Sequence, residues 1–434
     1  MAKSVFHDGD EGVELIIRDK KKQPREPRPA RWPVHVVYGG AHIFRADTPA
    51  KLGAIALKTL DEYASNADEF ASVFGIGRDI AADVLRRAKE KLLADPIEDY
   101  RIDFEDGYGF RPDDEEDGHA VAAAGELASA FLANSLPAMC GIRPKSFGPE
   151  TYGRAVHTLK LFVAALLEKT GGDLPDNFVV TLPKVSNKKE VRDLCRVLKQ
   201  IEKDHKIQKG SIGVELMIET PEAIIDAKGR CPLRSFVRAA DGRCTSVHFG
   251  AYDYTASLGI SAAYQHLRHD ACNYARQTMI AALSPLGMRL SDSVTTSIPV
   301  AVHRSNHPSK TERHENETAI RRAWREHFDN VGFSIANGFY QSWDLHPNQL
   351  PARYAAVYSF FIRHQAAQAK RLSGFIEKAT KANLTGNAFD DAASARGLVN
   401  FFERGVGCGA IDEGEINSMF GTSTAGLRQI FSGL

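Results

Sequence analysis

Eight short apolar phrases recur between residues 34 and 349, with helical stretches between nearly all of them, and this alternation limits what the chain can become. In order they are VHVVYGGAHIF (Val34–Phe44), DYRIDFEDGYG (Asp99–Gly109), PAMCGIRPKSF (Pro137–Phe147), NFVVTLPKVSN (Asn177–Asn187), VELMIETPEA (Val214–Ala223), TSVHFGAYDYTASLG (Thr245–Gly259), LSDSVTTSIP (Leu290–Pro299) and FYQSWDLHPNQ (Phe339–Gln349). Helix-period patterns separate them: Thr48–Ala64 and Arg78–Ala94, then His119–Ala133, Tyr152–Lys169, Lys188–His205, Pro221–Arg238, Ala262–Leu283 and Glu317–Phe328. A helix between successive strands brings each strand back in the same direction, so the sheet is parallel. Eight such units predict a (β/α)8 TIM barrel.

The barrel is expected over residues 34–350. Before it, residues 1–33 include DKKKQPREPRPARWP (Asp19–Pro33), whose prolines and dense charge predict an extended arm. After it, residues 351–434 show only helical and turn patterns and are expected to form a helical extension, packed on the barrel or on a neighbouring subunit. Lys+Arg and Asp+Glu both number 55, a balance that argues against a dedicated nucleic-acid partner. The six cysteines are scattered without a C-x-x-C pair, as in a reduced, cytoplasmic protein rather than a disulfide or zinc framework. No apolar run reaches the roughly 18–20 residues of a membrane span, and the first twelve residues lack the apolar segment of a secretory leader.

In a parallel α/β barrel the carboxyl ends of the strands form one rim, where chemistry is done. The phrases place Asp103, Glu105, Asp106, Arg143, Lys184, Glu219 and Asp253 there, with Glu215 deeper on the strand of Glu219. That is six acids against two bases. Clustered carboxylates repel one another and take up protons unless a cation is present. A Mg²⁺ ion uses one or two protein carboxylates and leaves its other positions to water and substrate, so Glu219 and Asp253 are the expected metal ligands. Arg143 is the natural partner of a developing oxyanion, or else an ion-pair partner of Glu105 or Asp106. Lys184 could bind substrate or a carboxylate; a Schiff-base role is disfavoured because surrounding acids raise a lysine pKa. His303, His307 and His314 lie in the loop after the seventh phrase, where they either contact substrate or stand in a solvated loop. His248, inside an apolar phrase, reads as a hydrogen-bonded core histidine. No G-x-S-x-G, P-loop or complete G-x-G-x-x-G is present.

The phrases IDFEDGYG (Ile102–Gly109), GIRPKS (Gly141–Ser146), TLPKV (Thr181–Val185), MIETPEAI (Met217–Ile224), HFGAYDYTASLG (His248–Gly259), YARQ (Tyr274–Gln277), SDSV (Ser291–Val294) and LHPNQL (Leu345–Leu350) together resemble the superfamily of the citrate lyase β subunit, the HpcH/HpaI aldolases and malate synthase. The resemblance runs in the family's order over roughly Val34 to Gln349. It implies a (β/α)8 fold and carbon–carbon bond making or breaking through a Mg²⁺-stabilised enolate. It further implies Glu219 and Asp253 as metal ligands, Arg143 as the substrate arginine, and Glu105 with Asp106 as a supporting acid pair. Asp106 stands where the pyruvate-type aldolases carry a catalytic histidine, as in the citrate-lyase-like branch, while GAYDY leans towards malate synthase.

The expected activity is therefore a metal-dependent carbon–carbon lyase or aldolase. The metal is Mg²⁺, with Mn²⁺ as an alternative, and the substrate is a small oxo- or hydroxy-acid, free or as its coenzyme A thioester. The expected catalytic set is Arg143, Asp106, Glu105 and Lys184; Asp103 and His303 are expected to join Arg143 in binding substrate. Two other readings use the same barrel: a metal–enolate enzyme without C–C cleavage (a thioester hydrolase or phosphoenolpyruvate-type transferase), and a silent barrel serving as an assembly subunit. A homo-oligomer is expected, without nucleic-acid or membrane partners.

Overall fold

A computed structural model describes residues 32–305, 307–385 and 392–432. The expected arm, residues 1–33, lies outside the described residues except for Trp32 and Pro33. The strands are β1 (His35–Gly40), β2 (Asp99–Asp103), β3 (Met139–Arg143), β4 (Phe178–Leu182), β5 (Gly213–Ile218), β6 (Cys244–Phe249), β7 (Arg289–Val294) and β8 (Gln341–Asp344). All neighbours pair in parallel. β8 returns to β1, with Val36 opposite Trp343, and closes the barrel in chain order. This is the (β/α)8 fold expected from the alternation.

Helices α1 (Thr48–Tyr63), α2 (Ala67–Phe74) and α3 (Arg78–Ala94) join β1 to β2. Then come α4 (Asp113–Leu132), α5 (Tyr152–Thr170), α6 (Lys188–Asp204), α7 (Pro221–Ile224), α8 (Leu233–Ala239), α9 (Ala251–Ser257), α10 (Asp270–Leu283) and α11 (Lys310–Ala336). The last four are α12 (Leu350–Thr385), α13 (Ala392–Gly407), α14 (Glu413–Phe420) and α15 (Thr424–Ser432). None of the described helices is long and apolar enough to cross a membrane.

Several helices depart from expectation: α4 and α11 start earlier than expected, at Asp113 and Lys310, α11 also runs on to Ala336, and α9 lies within the sixth phrase. The single helix expected over Pro221–Arg238 is two short ones, α7 and α8. Between them Asp226 Oδ1 accepts the N–H groups of Lys228 and Arg230, and Gly229 takes φ 71°. An aspartate that bonds its own following backbone competes with the helix ladder. The helix expected from Ala262 starts at Asp270, where the ring nitrogen of His269 accepts the Ala271 N–H and caps it. α2 was not expected. It opens on Asn66, whose side chain accepts the Glu69 N–H, and ends on Gly75 in the left-handed region.

The barrel interior is polar, where many barrels are filled with branched aliphatics. Period-two alternation sends Tyr100 and Ile102 outward to the helices and Asp99, Arg101 and Asp103 inward. Likewise Leu216 and Ile218 of β5 join the outer apolar layer, and Glu215 faces the interior. The C-terminal helices pack on the barrel's own helix layer. Tyr354 of α12 donates to the Pro96 carbonyl at 2.8 Å, and Arg87 of α3 donates to Glu415 of α14 at 3.1 and 3.2 Å. Phe361, Phe401, Phe402 and Phe420 then make a chain of aromatic contacts that joins α12, α13 and α14.

Candidate active site

Glu219 follows the last residue of β5. Its side chain is buried, 1% exposed. Its Oε1 accepts the backbone N–H of Lys184 at 2.6 Å. Lys184 holds φ 52°, a left-handed conformation that is uncommon for a side-chain-bearing residue. That turn aims the N–H at the carboxylate. Gly250, after β6, leaves room for the other oxygen: a Cβ there would lie 2.4 Å from Glu219 Oε2.

Asp253 was expected at a strand end, but β6 stops at Phe249 and Asp253 stands in the first turn of α9. The chain turns at Gly250, and the Ala251 N–H donates to Ser293 Oγ of β7 at 3.0 Å, which pins the start of that helix. Asp253 is half-buried. Among the described residues it has no hydrogen bond or ion pair, and Glu219 Oε2 likewise accepts none. Burial pushes the Glu219 carboxyl up to about 8, opposed by the charges of Arg143 and Lys184 and reinforced by those of Asp253 and Glu105. Glu219 and Asp253 are thus two neighbouring carboxylates, each of which disfavours the other's charge. No group of three or more His, Cys, Asp or Glu side chains able to cage an ion occurs among the described residues.

Arg143, the last residue of β3, is 3% exposed, and its charge acts on Glu219. Its Nε and Nη2 donate to the two oxygens of Asp103 at 2.7 and 2.6 Å. Asp103 also accepts the N–H groups of Glu105 and Gly107 at 2.9 and 2.8 Å. All four lone-pair directions of that carboxylate are thereby taken, so Asp103, expected among the substrate contacts, instead holds Arg143 in place. The remaining nitrogen, Nη1, lies 3.3 Å from Glu105 and 3.8 Å from Asp106. The guanidinium also lies over the ring of Tyr38, 4.8 Å from its centroid, and Tyr38 stacks on Trp343 at 4.3 Å.

Lys184 Nζ bonds Glu105 and reaches Asp106 at 2.9 Å. Burial would lower its pKa, but these two acids win and hold it above the ordinary lysine range. A Schiff-base role, which needs a neutral amine, is disfavoured by this pairing. Burial raises the Glu105 carboxyl despite Arg143. Asp106 is more open; burial acts to raise its pKa too, yet bonds to Glu105 and Lys184 leave it lowered. The two members of the acid pair are therefore pushed in opposite directions, Glu105 up and Asp106 down.

His303 is not brought to this cluster by any contact among the described residues. It pairs with Glu315, and its N–H donates to Asn316 Oδ1 at 2.8 Å, which ties the loop to α11. His307 and His314 are exposed. His248 is buried as expected: Nδ1 meets Tyr38 Oη at 3.1 Å, and Nε2 lies 2.8 Å from Glu215, too far off line for a directed hydrogen bond.

The count of six acids against two bases omitted Arg101. Its guanidinium bonds Asp99 and, at 2.8 Å, Glu215. Arg101 shares the inward period of Asp103, two residues on, and this was the signal in the sequence that could have revealed it. Other resemblance motifs prove architectural. Arg276 of YARQ and Asp292 of SDSV are one buried ion pair at 2.9 Å. Gln349 of LHPNQL donates to the Thr295 and Ser297 carbonyls at 2.8 and 3.0 Å and holds the loop after β7.

Comparison with known proteins returns the group that the motifs resemble. Over 98 residues the chain is 37% identical to an L-malyl-CoA/beta-methylmalyl-CoA lyase of Haloarcula marismortui, covering 22% of this chain and only 26% of that enzyme. Solved structures similar to it include Haloferax volcanii malate synthase in a magnesium/glyoxylate complex, at 14% identity and TM-score 0.49, covering 94% of this chain and all of that one. Another is an HpcH/HpaI aldolase from Desulfitobacterium hafniense, at 11% identity and TM-score 0.37, covering 77% of this chain and 91% of that one. A family profile described as "Domain of unknown function (DUF6986)" matches residues 18–432, nearly the whole chain, and the protein belongs to that family.

Proposed function

We propose that this protein is a metal-dependent carbon–carbon lyase or aldolase. It would act through an enolate on a small oxo- or hydroxy-acid, free or as its coenzyme A thioester. The observation that carries this reading is the Glu219–Asp253 pair, two neighbouring carboxylates with no ion-pair partner among the described residues, beside an arginine whose aim is set by Asp103. The partial likeness to a malyl-CoA lyase supports the same class of chemistry.

Glu219 and Asp253 would hold the Mg²⁺ or Mn²⁺ ion, which when bound supplies Lewis-acid stabilisation of negative charge on a substrate oxygen. The protein's own residues do the rest. Arg143, locked on Asp103, presents Nη1 to the same developing charge and needs no reorganisation as that charge grows. Tyr38 and Trp343 keep water away from the inner face of the guanidinium. Asp106, ionised and open to the rim, is placed to take or return the proton next to the carbonyl. Lys184 plays a positioning role: its ammonium orients Glu105 and Asp106, and its N–H orients Glu219. Self-association is part of the proposal, and sedimentation showing only monomer at micromolar concentration would remove it.

Proton exchange in D₂O, followed by NMR, tests the enolate without knowledge of a second substrate. Pyruvate, oxaloacetate-like acids and acetyl-CoA are offered with Mg²⁺ and then with chelator. The expected result is metal-dependent exchange beside the carbonyl with at least one donor, abolished in Asp253→Ala. Absence of exchange with every donor, together with absence of metal binding, would favour the silent barrel.

A further inference from the structure

On the outer wall of the barrel, α6 and α8 flank an open cleft of about 420 Å³ that the chemistry above does not use. Both helices run back from the catalytic rim, and Asp241 lies just past the end of α8, so the cleft opens towards the opposite end of the barrel. It is lined by Arg192, Arg196 and Lys199 of α6 and by Ser235 and Arg238 of α8, with Asp241 as its one acid. Counting Asp193, which pairs with Arg196, four cations stand against two acids, a local excess in a chain whose total charge is zero. Arg196 is already paired with Asp193, and Lys199 with Asp241 at 2.7 Å. Arg192 and Arg238 are exposed and have no carboxylate within ion-pair distance among the described residues. One turn separates Arg192 from Arg196 and the next nearly reaches Lys199, so the three α6 cations share one face. Solvated cations on one helix face normally alternate with acids, because like charges at this spacing repel. Here the repulsion is concentrated in a concavity.

We propose that this cleft binds a soluble small molecule bearing a phosphate or pyrophosphate group. Guanidinium forks match phosphate oxygens in pairs, and the Ser235 hydroxyl adds a neutral donor. The volume exceeds what inorganic phosphate fills and lies within the range of small-molecule sites, so the phosphate would be one end of a larger organic body. This assignment is independent of the enolate reading, because it concerns a different face of the molecule.

Calorimetric titration of the full chain with inorganic pyrophosphate and with ADP tests it, beside sedimentation with phosphatidylcholine vesicles carrying phosphatidic acid. The expected result is saturable binding of pyrophosphate or ADP that weakens by about tenfold or more in Arg192→Gln/Arg238→Gln, as loss of charge-assisted bonds requires. Both side chains are exposed, so an unchanged melting temperature will show that the double variant folds. Asp241→Asn should tighten binding a few-fold, since it removes the lining acid and frees Lys199, and asparagine tolerates the φ of 52° found there. Absence of binding by the intact protein, equal binding by the double variant, or binding confined to vesicles would each overturn the proposal.

Discussion

Two glutamates four residues apart, one within β5 and one just past its end, live in opposite electrostatic worlds. Glu215 is deep in the barrel, and its oxygens receive Arg101, Thr181, Ser246 and Tyr38, with His248 alongside. Burial alone would raise its pKa, but Arg101 and His248 hold it well below the usual carboxylate range. Glu219 at the rim is as deeply buried, receives one backbone N–H, and is pushed up to about 8. The interior carboxylate is ringed by donors, whereas the Glu219–Asp253 pair has no ion-pair partner among the described residues. Buried charge by itself is thus no sign of a site; the useful sign is buried charge that the fold does not neutralise.

The largest expected effect comes from breaking the interior network. Arg101→Met leaves Asp99 and Glu215 buried without their cation and should cost about 3–5 kcal/mol in a urea or thermal unfolding experiment. A loss below about 1 kcal/mol would mean that the interior is no more complete than the rim.

The next contrast is in pH. A glutamate ordinarily titrates near 4.5, and in the metal-free fold Glu219 titrates near 8. Between those values the folded state keeps a proton that the unfolded state releases, so Glu219 lowers stability as pH rises. Its contribution is least harmful below about 4.5 and most costly above about 8. The expected size is a few kcal/mol, on the scale of roughly 1.4 kcal/mol per pKa unit. Glu219→Gln should remove this slope from metal-free melts, and excess Mg²⁺ should remove it from the unaltered protein. Glu215→Gln should produce no such stabilisation. A slope unchanged by Glu219→Gln would break the comparison.

Arg143→Lys keeps the charge but loses the paired donors to Asp103. Metal-dependent exchange should fall by about 10²-fold or more, the usual cost of one misplaced oxyanion donor, with metal affinity little changed. Retention of full exchange would show that the arginine is only architectural. The smallest effect is expected from His303→Ala. This loop residue, paired with Glu315, should change stability by no more than about 0.5 kcal/mol and exchange by no more than a few-fold. A large loss of exchange would return the loop histidine to the site.

The barrel was legible in the chain because strand and helix leave different periods in the apolar residues, and eight repeats of that contrast admit few architectures. The rim acids were legible for a related reason: a polar residue that ends an apolar strand must lie at one edge of the sheet. The pairing of the charges was not legible. Arg101 and Glu215 are 114 residues apart, and only the closed barrel brings them together. Asp253 was placed on the right edge but on the wrong element, since a one-residue turn at Gly250 converts strand to helix without any change in hydrophobicity. The break between α7 and α8 was hidden in the same way, because Asp226 and Gly229 act through backbone geometry that composition does not display.

The most direct test of the account is a Mn²⁺ titration of the metal-stripped protein, followed by electron paramagnetic resonance, at pH 6 and at pH 8. Occupancy must expel the Glu219 proton, so the account predicts one site per chain, tighter at the higher pH, competed by Mg²⁺, and lost in both Glu219→Gln and Asp253→Ala. Binding that survives either substitution, or absence of binding at either pH, would contradict it.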